Sequence, residues 1–312
     1  GDRVYVYGPD GVLACVRVAD GKEVWKVETR TKVFFHQNFF GVGSVPLVDG
    51  DLLLVAVGGS PKGPRPADLR DAKSNNTGIV AFDTKTGEIK YTAVDELASY
   101  ASPVIATIGG KRTGLYFARG GLVGFDPRTG DTRFRYKWRA RLEESVNASN
   151  PVVVGDRVLL TECYELGASL IDLKDGKPRE VWTDNDKDRV DKSLMCHWNT
   201  PIHHGGFVYG SSGRHEIDGD VRCVELATGD VKWKKRRTNR CSLMLVDGHF
   251  VCLSEYGDLW LFKANPEKYE EVSRFEVPLD PPCWAAPVLS RGLLYVRGKG
   301  KLIAYELIPP KK

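Results

Sequence analysis

Two sets of short polar segments hold the residues of this chain that could do chemistry. The first contains His36 and Asn38, Tyr100, Asn150, the run His197-Trp198-Asn199, Arg240 and Trp284; the second contains Arg119, Glu162 with Tyr164, the run Arg214-His215-Glu216-Ile217-Asp218, Glu255-Tyr256 and Arg297. Imidazole, amide, guanidinium, carboxylate and large aromatic groups together suit the grip of a polar ligand, a peptide or a glycan. The alternative use of such groups is to satisfy backbone groups and water in a wet interior. The set is not a catalytic kit, since the chain contains no GxGxxG, P-loop, GxSxG or HExxH. His203-His204 have no third ligand at zinc spacing. Asp184, Asp186 and Asp188 imitate the start of a calcium loop, but Arg189 stands where the sharp-turn glycine belongs and Met195 where the closing glutamate belongs. Residues 184–192 therefore read as a solvated charged loop.

The elements that must position these residues come from a phrase repeated along the chain. It is clearest at Val80 to Tyr91 (VAFDTKTGEIKY) and returns at Val123 to Phe134, Arg222 to Trp233, Ala14 to Trp25 and, with one extra residue, Leu170 to Trp182. An apolar β-forming run, an Asp/Thr/Gly corner and a second run ending in an aromatic describe a tight hairpin, with glycine at the positive-φ position. A second pattern precedes each hairpin, anchored at Pro46, Pro103, Pro151, Pro201, Met244 and Pro287. Those anchors recur at intervals of about 43 to 57 residues, which with roughly four short strands per unit predicts a β-propeller of four-stranded antiparallel blades.

Seven units follow, at residues 2–29, 44–93, 102–138, 149–183, 199–236, 241–277 and 285–307. The first begins at the second strand of the pattern and the last stops after its third. The expectation is a single domain over 1–312 with incomplete first and last blades and further residues before Gly1; closing a seven-bladed ring would need two more strands and an eight-bladed ring six more. Residues 59–77 form a Pro- and charge-rich insertion, expected as a loop between the second and third strands of the second unit.

Composition narrows the function classes. A formal net charge of +4 over 312 residues, with both signs interspersed, makes no electrostatic case for nucleic acid or anionic lipid. The densest basic run, Lys232 to Arg237 around Trp233, coincides with an outermost strand, where charge discourages edge pairing. No apolar run approaches the roughly 18 to 20 residues of a membrane span. Seven cysteines without any CxxC read as small buried hydrophobes.

The phrases AFDTKTGEIKY, GFDPRTGDTRF and CVELATGDVKW resemble the pyrroloquinoline-quinone (PQQ) type propeller repeat, and the resemblance spans nearly the whole chain. It implies an eight-bladed ring, and that the closing aromatics, here Trp25, Tyr91, Phe134, Trp182, Trp233 and Phe275, dock between neighbouring blades. It also implies an extracytoplasmic, periplasmic home; a membrane anchor, if there is one, would lie before Gly1. The same repeat builds quinoprotein dehydrogenases and non-catalytic BamB-like assembly proteins. The dehydrogenases resemble one another in an adjacent Cys-Cys pair and a calcium site, whereas no two cysteines here are adjacent and no motif fixes Glu162, Asn150 or Asp218 as calcium ligands. The leading expectation is a non-catalytic propeller, without cofactor, that binds a protein, peptide or glycan at its channel mouth. The alternatives are a PQQ- and calcium-dependent alcohol or sugar dehydrogenase, and a sensory or scaffold module of a longer chain.

Overall fold

The computed structural model describes residues 1–36 and 41–308. Among them, strands fall into seven antiparallel sheets of three, four, four, four, four, four and three strands, each a simple meander in chain order. Helix is confined to one turn at Thr29–Lys32 and two 3₁₀ turns at Leu69–Asp71 and Glu216–Asp218. The architecture is an all-β, seven-bladed β-propeller, and nothing among the described residues supports an eighth blade. Pro46, Pro103, Pro151, Pro201 and Pro287 each stand directly before the innermost strand of a sheet, where a residue without an N–H takes no donor from the ladder. The basic run lies on Val231–Arg236, the outer edge of the fifth sheet. All seven cysteines are buried thiols.

The chain forms two compact units, one of Gly1–Leu160 with Ile171–Glu180, the other of Thr161–Leu170 with Val181–Lys312. In the first, Leu53, Val55, Val80 and Phe82 pack with Leu13 and Phe35 in one core layer, while Leu54, Ile79, Ala81, Tyr116 and Phe125 form a second. In the other, Tyr209, Cys223, Phe250, Cys252, Trp260 and Phe262 share a layer.

The repeated phrase works as a forward-pointing latch. Asp83 Oδ1 accepts from the amides of Lys85 (2.8 Å) and Thr86 (3.0 Å), and Gly87 turns the corner at φ +75°. The Trp25 indole N–H donates to the Thr84 carbonyl of that corner at 3.2 Å. Tyr91 donates in the same way to Pro127 (2.6 Å), Trp182 to Leu226 (2.8 Å) and Trp233 to Asn265 (2.9 Å). Phe134 is buried but has no group to donate. Trp25, Trp182 and Trp233 are mostly covered without being sealed from solvent.

The turn glycine lies under the ring for Trp25, Tyr91 and Trp182, at Gly87, Gly130 and Gly229. A Cβ added to Gly229, at φ +79°, would sit 2.9 Å from the Trp182 ring carbons. Gly229→Ala is therefore expected to cost about 2 to 3 kcal/mol in denaturant unfolding, combining left-handed strain with a displaced indole.

A register shift aims the aromatic. Cys223 pairs with Trp233 but Val224 with Val231, and the same irregularity recurs after Cys15, Ala81 and Gly124. The residue opposite Trp25, Tyr91, Phe134 and Trp233 is thus Cys15, Ala81, Gly124 and Cys223, small in every case.

The sixth sheet inverts the arrangement, which corrects the expected role of Phe275. There Trp260 sits on the third strand opposite Arg274, whose guanidinium lies 4.5 Å over its ring. The shift here follows Leu261, so Ser273 takes the aromatic's place; Phe275 lies two residues on, opposite Leu259, is 45% exposed, and among the described residues meets the edge of the Tyr305 ring at 5.5 Å.

Two loops also differ in kind. Residues 59–77 do join the second and third strands of their sheet. Residues 184–192 are not wholly solvated: Asp184 is fully buried, its Oδ2 accepting from the amides of Ala168 (3.0 Å) and Ser193 (2.8 Å) and from the Ser193 hydroxyl (2.6 Å). The Lys192 ammonium closes the loop onto the Asp184 carbonyl at 2.7 Å.

Candidate functional site

The second compact unit brings together side chains from the segments that lead into innermost strands and from the loops between second and third strands. His197 and Trp198 precede Ile202–His204, Arg240 precedes Cys241–Val246 and Trp284 lies shortly before Val288–Ser290. Tyr164, Arg214 and Glu255 come from the loops following Arg157–Glu162, Phe207–Ser212 and His249–Ser254.

The rings form a continuous run. Tyr164 meets His197 edge-on at 6.0 Å, His197 meets Trp198 at 5.3 Å, and Trp198 meets Trp284 at 5.6 Å. Two guanidiniums lie over it, Arg214 at 4.8 Å from the Tyr164 ring and Arg240 at 4.7 Å from Trp198. Arg240 is the hub. It donates to both oxygens of Glu255, at 2.9 and 2.5 Å, and to the Arg214 carbonyl at 3.0 Å. Glu255 also accepts from the Trp284 indole at 3.4 Å.

Electrostatics follow from that geometry. Burial works to raise the Glu255 pKa, but the forked Arg240 guanidinium outweighs it and the carboxyl is held below its ordinary value. Arg240 lies 3.3 Å from His197 Nδ1; arginine can only donate, so Nδ1 accepts and the neutral ring carries its proton on Nε2. Burial, with Arg240 and Arg214 nearby, pushes the His197 pKa down to about 4 against the opposing pull of Glu255.

A histidine depressed in the folded state contributes stability that is complete above its unfolded pKa of 6.5 and lost as pH falls through about 4. His197→Asn is therefore expected to lose on the order of 2 kcal/mol less stability than the parent between pH 7 and pH 4. Paired denaturant titrations at the two pH values check this, and parallel pH profiles would refute it.

Other expected site residues lie elsewhere or have structural work. His36 and Arg119 line a small pocket in the first compact unit, beneath Leu69 of the insertion. Asn150 Oδ1 accepts from the Ser102 amide at 2.8 Å, and the Tyr100 amide donates to the Asn147 carbonyl at 2.9 Å. His215 is exposed, and Arg297 lines an open groove with Trp284 and Lys299. Asn199 is buried, and neither its Oδ1 nor Trp198 Nε1 has a hydrogen-bond partner among the described residues. Asn38 and the Glu216 side chain lie outside the described residues. Glu255 and Tyr164 were expected at this mouth from their places in loops between second and third strands; what the fold adds is that the Glu255 carboxylate is forked by Arg240.

The groups that a quinone cofactor and calcium would need do not fit. The buried Glu162 carboxylate is consumed by the amides of Tyr164 (2.8 Å), Glu165 (3.0 Å), Leu166 and Gly167 (3.2 Å). Asn150 is committed to Ser102, and Asp218 lies 3.7 Å from Arg189. Among the described residues no three His, Cys, Asp or Glu side chains converge as a metal-ligand group.

Seven blades, Asp-x-x-Thr-Gly corners and forward-reaching aromatics define a propeller of the PQQ-like repeat class. The chain belongs to the family described as outer membrane protein assembly factor BamB (PQQ_2), whose profile matches residues 1–235. No curated protein sequence matches it. Among solved structures it is similar to BamB from Moraxella catarrhalis, at 15% identity and a TM-score of 0.68, over 97% of this chain and 81% of that one. It is also similar to the quinohemoprotein alcohol dehydrogenase from Comamonas testosteroni, at 13% identity and a TM-score of 0.62, over 95% of this chain but only 61% of that one. Sqt1 from Saccharomyces cerevisiae matches at 10% identity and a TM-score of 0.63, over 98% of this chain and 81% of that one. Identities this low establish a shared fold alone.

Proposed function

We propose that the chain is a non-catalytic, extracytoplasmic propeller that holds a protein or peptide partner on the aromatic and arginine cluster of its second compact unit. The observation that carries this reading is how the cluster is wired. Arg240, Glu255 and His197 spend their polar groups on one another, while Trp284 is left 53% exposed beside Arg297. An ion pair closed on itself beneath an exposed aromatic is the build of an interface anchor rather than of an acid–base site. Tyr256 and Ile217, on neighbouring loops, are 45% and 84% exposed and extend the apolar content of these segments.

Family membership supports a place in outer-membrane protein assembly and an extracytoplasmic location. The single-domain reading over 1–312 is part of the same proposal. A photo-crosslinking residue placed at Trp284 or Arg297 in cells of the source organism should yield a discrete adduct with an envelope protein. The same residue at Lys232, on the outer edge strand, should not. Equal adducts from all three positions, or turnover of alcohols or sugars with added PQQ and calcium, would overturn the reading.

A further inference from the structure

A second pocket, in the first compact unit, has an unmet guanidinium nitrogen on Arg139, beside the exposed Lys73, that neither the repeat nor the cluster above accounts for. We propose that Arg139 and Lys73 bind a small monocarboxylate that also carries a hydroxyl or ammonium donor, such as a hydroxy acid or an amino acid. The pocket has a volume of about 470 Å³ and is lined by Lys73, Ser74, Asp95, Glu96, Arg119 and Arg139, among others. The insertion at 59–77 supplies Lys73 and Ser74. It is mounted on the loop after the third sheet through the Leu69 amide, which donates to Glu143 Oε1 at 3.2 Å.

The argument rests on which polar groups are already spent. Glu96 accepts from Arg135 at 3.0 Å and from the Gly120 amide at 3.1 Å. Asp95 Oδ1 accepts from the Ser74 hydroxyl at 2.5 Å and from the Asn76 amide at 3.2 Å, and its Oδ2 faces no donor among the described residues. The Arg119 guanidinium donates to the Glu143 carbonyl at 2.9 Å. By contrast, one terminal nitrogen of Arg139 is buried with no acceptor, and neither Arg139 nor Lys73 makes an ion pair among the described residues. Burial also lowers the Arg139 pKa, against the opposing field of Glu96. Leaving a guanidinium donor buried and unpaired is costly, and an oxygen of a ligand carboxylate removes that cost.

The same lining selects the class of anion. Asp95 and Glu96 share the lining with Lys73, Arg119 and Arg139, and a monoanion needs only the Arg139 and Lys73 cations. A doubly charged phosphate would place its second charge against Asp95 and Glu96. Asp95 Oδ2 then accepts from the donor group of the ligand.

Calorimetric titration of the whole chain with gluconate, L-alanine and inorganic phosphate, at matched ionic strength, tests the site. The expected result is saturable binding of gluconate or L-alanine with a Kd on the order of 1 mM or tighter. That binding should weaken at least tenfold in Arg139→Gln and in Lys73→Gln, and stay unchanged in Lys232→Gln. Absence of saturation by both carboxylates up to about 20 mM would overturn the proposal. So would binding that survives both pocket variants, or phosphate binding as tight as the carboxylates. Thermal unfolding of each variant shows whether its fold is retained, and if Arg139→Gln unfolds, Lys73→Gln carries the comparison.

Discussion

Trp233→Ala is expected to lower the free energy of unfolding by about 3 to 4 kcal/mol, read as a fall in the denaturant midpoint. The indole lies among Tyr209, Phe262 and Tyr269, at centroid distances of 6.0, 6.1 and 5.5 Å, and its N–H reaches the Asn265 carbonyl. Cutting it to a methyl opens a void between rings that cannot collapse, because each is itself packed in the same core layer. Partial exposure of the indole keeps the expected loss below the upper end for a tryptophan. Trp233→Phe separates the two components, since it retains most of the ring and loses only the hydrogen bond, at a cost of about 1 kcal/mol. An alanine variant with the parent's midpoint would show that the latch contributes nothing.

Glu162→Ala is expected to cost about 3 kcal/mol, because it leaves the amides of Tyr164, Glu165, Leu166 and Gly167 without their acceptor in a partly buried turn. Burial pushes the Glu162 pKa up while those amides oppose the shift, so the carboxylate's stabilising role comes from what it accepts rather than from its charge. Glu162→Gln should fall between parent and alanine. Its single carbonyl oxygen can replace Oε1, which accepts from three of the amides, but its NH₂ then faces the Tyr164 N–H. The turn carries the Tyr164 ring, on which Arg214 lies and against which His197 packs, so the alanine variant should also shift the fluorescence of Trp198. Unaltered stability together with an unaltered spectrum would remove Glu162 from this role.

Blade boundaries were legible because they rest on local chemistry. The Asp-x-x-Thr-Gly corner bonds to itself, and the small residue that opens the phrase is the one that must face the aromatic. Phe275 misled because its register is set across strands: Ser273 takes the place opposite Leu261, before the shift, and sequence spacing alone does not reveal a pairing. Asp184 misled for a related reason. Its neighbours in sequence are charged, but its partners Ala168 and Ser193 come from chain that folds back over it. The convergence of His197, Trp198, Arg240 and Trp284 followed from their places before innermost strands, whereas the Arg240–Glu255 fork and the unpaired Arg139 depend on side-chain directions that no periodicity encodes.

The latches also bear on how such a chain is inherited. Each aromatic bonds to a main-chain carbonyl 59, 36, 44 or 32 residues further on, and the residues that offer those carbonyls are Thr84, Pro127, Leu226 and Asn265. Because the acceptor is backbone, mutation at the receiving position leaves the bond intact, so that position is free to drift. A tandem duplication of one repeat copies a donor ring and an acceptor corner together, and the new junction is matched from its first generation. Repeats can therefore diverge until little but the small residue, the glycine and the aromatic is shared, while each still accepts any other as its neighbour.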